Sequence, residues 1–126
     1  MAQPNEINEM RDELISHIEE QNEQIRESMA YWVKDRVNHV VVSKDFNYQV
    51  TDDGTGTLDV EMLTTMDKAL RVSKSTADSI AKSFNAENGY GKIEWVVMSV
   101  YEFLCRLLNH NNMVMRYINE RAMCMA

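Results

Sequence analysis

Along the first third of the chain, apolar residues recur at helical spacing: Ile7, Met10, Leu14, Ile18, Ile25, Met29, Trp32 or Val33, and Val40. Pro4, Asn5 and Glu6 suit a helix start, and the spacing predicts a long helix over about 5–38. Ile7, Ile18, Met29 and Val40 repeat every eleven residues, as do Leu14 and Ile25, so the helix is expected to be nearly straight with a narrow seam. Residues 19–24 read Glu-Glu-Gln-Asn-Glu-Gln. The seam there is expected to cross solvent or a polar partner.

The period then changes. Phe46, Tyr48 and Val50 alternate with polar residues, as do Leu58, Val60 and Met62, and Asp52-Asp53-Gly54-Thr55-Gly56 stands between them. This predicts a β-hairpin over about 45–62 with one face resting on helices. Met62, Leu63, Met66, Ala69 and Leu70 suggest a short helix over about 62–72. Ser75-Thr76-Ala77-Asp78 has the form of a capping box opening a second one over about 76–88, with Ala77, Ile80, Ala81 and Phe84 inside and Asn88-Gly89 ending it.

In the last segment Ile93, Val97, Val100, Leu104, Leu107, Asn111, Val114 and Ile118 follow alternating spacings of four and three, a heptad seam on a long helix over about 92–121. Flanking Val96, Phe103, Tyr117, Tyr101, Leu108 and Met115 are apolar too, so the face is wide and needs partners on more than one side. At 1.5 Å per residue the two long helices would reach roughly 45–50 Å. A compact chain of this size has a diameter of only roughly 35 Å. The expected fold is therefore mainly α with a minor β part: a single domain, 1–126, forming an elongated helical bundle of two long helices, two short helices and one β-hairpin. The surplus apolar surface predicts self-association, with the eight heptad residues as an oligomer seam in a coiled-coil-like bundle.

Charge limits the partners. The 126 residues carry a net charge of −7, which disfavours phosphate backbones and anionic lipid surfaces. Within residues 1–30 eight acids stand against Arg11 and Arg26. The acidic first helix, through Glu13, Glu20, Glu23 and Glu27, is a candidate surface for a basic protein partner. No basic patch appears, no secretion signal is evident at the N-terminus, and Ile93–Leu108 is too short and too charged to span a bilayer. The expected location is the cytoplasm, or the host cytoplasm or virion for a viral protein; eleven asparagines and ten methionines are compatible with a small viral accessory gene.

Residues 51–62 look like an EF-hand loop with Gly56 in the sharp turn, but Thr51 takes the place of the first ligand and Met62 that of the closing glutamate. A plain glycine turn is the expected reading. Thr76–Asn85 is similar to the first helix of a helix-turn-helix, although the following recognition helix near Lys92 would be Ile-Glu-Trp-Val-Val, a core sequence. His17, His39 and His110 complete no metal motif. Cys105 and His110 would diverge by roughly 140° on one helix and meet only where Asn109–Asn112 breaks it. Cys105 and Cys124, nineteen residues apart, cannot form a disulfide within one helix. Asn111 either pairs across the seam, fixing register, or marks a kink. Met123 and Met125 offer an adaptable apolar surface for a partner.

No catalytic, metal or cofactor residue is therefore expected. The chain reads as a non-enzymatic, oligomeric protein-interaction or assembly component, an adaptor, inhibitor or small virion-type protein. The alternatives are a small-ligand-binding protein with its site at a subunit interface, or a nucleic-acid-binding protein.

Overall fold

Val40, Val41 and Val42 form an unbroken β-branched run, which favours strand and, without polar alternation, burial on both faces. In the computed structural model, which describes residues 4–64, 68–87 and 93–125 with side chains from 6 to 122 within those ranges, this run is the centre of a sheet. The elements are α1 (Pro4–Trp32), β1 (Asn38–Ser43), β2 (Tyr48–Asp52), β3 (Leu58–Met62), β4 (Val72–Ser73), α2 (Lys74–Glu87), β5 (Trp95–Ser99) and α3 (Val100–Met125).

All strand pairs are antiparallel. β5 pairs with β1 from His39 to Ser43, while β2 meets β1 at Val42 and β4 meets it at Asn38 and His39. A strand has two edges, so β5 takes one side of β1 and β2 and β4 share the other. β2 and β3 form the hairpin, in register from Tyr48↔Met62 to Asp52↔Leu58. Its turn is self-contained: Asp52 Oδ1 accepts from the Gly54 and Gly56 amides, and Asp53 Oδ1 accepts from Thr55. Gly54 and Gly56 sit at φ 93° and 88°, a backbone region that other residues enter only with strain.

Alternation sends successive side chains to opposite faces. Val40, Val42, Met98 and partly buried Val96 join Ile25, Val100, Phe103, Leu104 and Leu107 beneath α1 and α3. Val41, Val50 and Trp95 join Ala77 and Ala81 beneath α2. The layers are thus the α1–α3 pair, the sheet and α2. Small residues let α2 approach closely, and Asn85 holds its end to β5: the Trp95 amide donates to Oδ1 at 2.8 Å and Nδ2 donates to the Trp95 carbonyl at 3.1 Å.

The fold is α+β, with three helices and a five-stranded antiparallel sheet among the described residues, and not the expected elongated helical bundle with two long and two short helices. The first helix stops at Trp32, short of 38, because Asp35 turns the chain. Its Oδ1 accepts from the Val37 and Asn38 amides at 2.9 and 2.7 Å, and the β-branched run follows. The helix expected over 62–72 is overturned by β3 ending at Met62 and by β4; Leu63, Thr64 and Lys68–Arg71 have no regular structure, and Met66 lies outside the described residues. The helix expected from 92 begins at Val100, because Trp95–Ser99 pairs with β1 instead. That strand also stands where the recognition helix of a helix-turn-helix would have to lie. α2 begins at Lys74, with Ser73 Oγ accepting the Thr76 amide, so the cap precedes the expected one.

Candidate interaction surface at the free end of the helical hairpin

α1 and α3 run antiparallel. Ile18, Asn22 and Ile25 lie on α1 at spacings of four and three, buried, with Leu104, Leu107, Asn111 and Ala122 buried on α3. Midway, Asn111 Nδ2 donates to Asn22 Oδ1 at 2.8 Å. The polar stretch 19–24 therefore meets a polar partner within the same chain. α3 continues unbroken through Asn109–Asn112, so the Asn111 amide pairs across the seam and does not mark a kink. Asn22 carried the same signal in the sequence, an amide at a 4–3 position between Ile18 and Ile25.

The sheet supports only one end of this hairpin. α3 packs on β1 and β5, whereas among the described residues α1 makes its close backbone approach to α3 and to no strand. α1 reaches the sheet core through the side chains of Ile25, Met29 and Trp32. Arg71 places its guanidinium over Trp32 at 5.8 Å. On α3 the rings of Phe103 and His110 lie 5.8 and 5.9 Å from Phe46. From Pro4 to Ile18 α1 runs about 22 Å further, and among the described elements it packs on α3 alone.

Here the two helices enclose an open apolar groove of about 330 Å³, lined by Ile7, Met10, Arg11, Leu14, Tyr117, Ile118, Arg121 and Ala122. Two helices bury only the stripe between them, so the flanking apolar residues stay bare: Met10 is 60%, Leu14 51% and Tyr117 59% exposed. Arg121 stacks its guanidinium 5.9 Å from the Tyr117 ring centre. On α1, Glu6 and Glu13 stand four residues before and three after Met10, which places both beside it on the helix surface, and both are exposed.

The eight heptad residues divide. Val100, Leu104, Leu107 and Asn111 are buried inside the chain, Val114 and Ile118 are half-buried on α3, Val97 lies in β5 and Ile93 precedes it. Glu13, Glu20, Glu23 and Glu27 are exposed along α1. The side chains of Met123 and Met125 lie outside the described residues. The groove residues Met10, Leu14 and Tyr117 were missed as a set because their proximity depends on pairing two helices from opposite ends of the chain.

Titratable groups explain local turns. Hydrogen bonds from the Asn38 amides hold the Asp35 carboxyl below its ordinary value. The Ser43 hydroxyl does the same for Asp45 and Thr55 for Asp53. A hydrogen bond with Cys105, and the charge of its thiolate, raise Tyr101. Burial lowers His110. Cys105 and His110 share one unbroken helix and point apart. Gln21 and His17 are in hydrogen-bond contact at 3.2 Å, and the His39 ring meets the Val37 carbonyl. Among the described residues no group of three His, Cys, Asp or Glu side chains is placed to hold a metal ion, and no helix is long and apolar enough to cross a membrane.

Comparison with known proteins gives no match, whether to family models, curated proteins or solved structures.

Proposed function

We propose that this chain is a non-enzymatic protein-interaction component that receives an amphipathic helix of a partner protein at the free end of its α1–α3 hairpin. The groove between Met10 and Tyr117 carries the reading. It is elongated along two helices, apolar at its floor and continuous with the buried seam, the form in which a third helix buries residues at i, i+3, i+4 and i+7.

Methionine methyl NMR tests this directly. Adding a synthetic helix with a leucine stripe and glutamine flanks is expected to shift the Met10 methyl resonance and leave buried Met98 unmoved. Substitution Met10→Glu, at an exposed position, is expected to preserve the fold and weaken binding about tenfold or more. No shift at millimolar peptide, or a shift at Met98 with Met10 silent, overturns the reading.

A further inference from the structure

We propose that the outer edge of β3 is a strand-addition site for an extended, basic segment of another protein, a surface separate from the helix groove. Among the described elements the backbone of β3 closely approaches β2 alone. The Asp53 amide donates to the Thr57 carbonyl and the Leu63 amide to the Asn47 carbonyl, so the hydrogen-bonded pairs of this hairpin fall at odd-numbered residues. Leu58, Val60 and Met62 therefore turn their amides and carbonyls away from β2, in a row that meets no described strand. The Val60 amide donates to Asp59 Oδ1 at 2.9 Å, taking a side chain of its own strand where a neighbouring strand would offer a carbonyl. The edge at β5 differs: the amide and carbonyl of Trp95 are both taken by the Asn85 side chain.

The two faces of this edge specify the occupant. Leu58, Val60 and Met62 project to one side, where Val60 joins the core beneath α2 and Leu58 and Met62 are 39% and 70% exposed. Asp59 and Glu61 project to the other, exposed, and neither forms an ion pair among the described residues. An added strand alternates in the same way. Its apolar residues cover Leu58 and Met62, and the residues between them lie opposite Asp59 and Glu61, where lysine or arginine attracts and an acid repels. Charge disfavours a second copy. Paired antiparallel with its own image about Val60, β3 sets Asp59 opposite Glu61 on both sides of the centre; centred on Asp59 or Glu61, it sets that acid against itself. β3 holds no lysine or proline, residues that commonly block an edge, so the backbone row stays open to a strand of opposite charge.

Three capped peptides of about seven residues, alternating valine with lysine, glutamine or glutamate, test this on the full chain by NMR-detected amide exchange. At saturation the lysine peptide is expected to slow exchange at Leu58 and Met62 about tenfold or more. It is expected to bind about three- to tenfold tighter than the glutamine peptide at low salt, with glutamate weakest and the margin shrinking as salt rises. Met62→Pro removes an outward amide while sparing the bonds to β2, and is expected to abolish the protection at Leu58. Asp59→Asn with Glu61→Gln is expected to level the lysine and glutamine peptides. No protection at millimolar lysine peptide, equal binding of lysine and glutamine peptides to the native chain, or indifference to either substitution overturns the proposal and leaves the groove reading untouched. A shift of the Met10 methyl with β3 silent places the peptide in the groove and overturns it as well. A dimer in sedimentation that Met62→Pro dissociates assigns the edge to a second copy, with the same result.

Discussion

Asn111 donates its side-chain amide to Asn22 Oδ1 at 2.8 Å, and the two residues, 89 positions apart, are 0% and 1% exposed. This contact fixes the axial register of α3 against α1, because sliding either helix by one turn would set an amide against a leucine or isoleucine. Removing one partner strands the other away from water. Asn111→Leu is expected to cost about 1–3 kcal/mol, and adding Asn22→Leu is expected to recover much of it. Urea unfolding of the two single variants and the double variant gives the coupling; additive losses would show that the pair does not act as a unit.

Gln49 presents the opposite case. It lies opposite Val42 in the sheet, is 0% exposed, and among the described residues neither its Oε1 nor its Nε2 has a hydrogen-bond partner. A buried amide without partners costs free energy that an apolar side chain of similar length avoids. Gln49→Met is therefore expected to stabilise the chain by about 1–3 kcal/mol, read as a higher urea midpoint with an unchanged slope.

His110 ties stability to pH. Burial against Phe46 lowers its folded pKa below the ordinary 6.5, so between those two values the unfolded chain binds more protons than the folded one. Stability then rises with pH across that window and is lost as pH falls from about 6.5 through the lowered value. Thermal melts from about pH 7.5 down to 5 should show a steeper decline for the native chain than for His110→Gln. Parallel curves would remove His110 from the account.

α2 stands close to the sheet because Ala77 and Ala81, 0% and 7% exposed, face Val41, Val50 and Trp95. Ala77→Leu forces the helix outward and should cost about 1–3 kcal/mol. It should also loosen the Asn85 clamp, read as faster amide exchange at Trp95. Unchanged exchange with lowered stability would place the strain elsewhere.

Two stretches show where sequence periodicity ends. Val40–Val42 and Trp95–Met98 are short apolar runs, and a run buried on both faces carries no alternation by which a strand is told from a helix. In the sequence alone Val40 therefore continues the helical spacing of residues 5–38, Val41 and Val42 fall outside every expected element, and Trp95–Met98 reads as part of the helix over 92–121. The hairpin at 48–62 was legible, because its turn chemistry is local and its strands alternate. So was the long helical character of residues 5–32 and 100–121.

By itself, then, the sequence determined what depends on neighbours within a few residues: the two long helices, the glycine turn with its aspartates, the acidic α1 surface and the amide on the α3 seam. Tertiary structure alone decided what depends on residues far apart. It supplied the intrachain partner for that seam, recruited Val40–Val42 and Trp95–Ser99 into one sheet, and ended the sheet's support partway along the hairpin. The physical reason is that burial is settled by what packs against a face. The same apolar stripe becomes core where the sheet covers it and an open groove where the helices extend beyond.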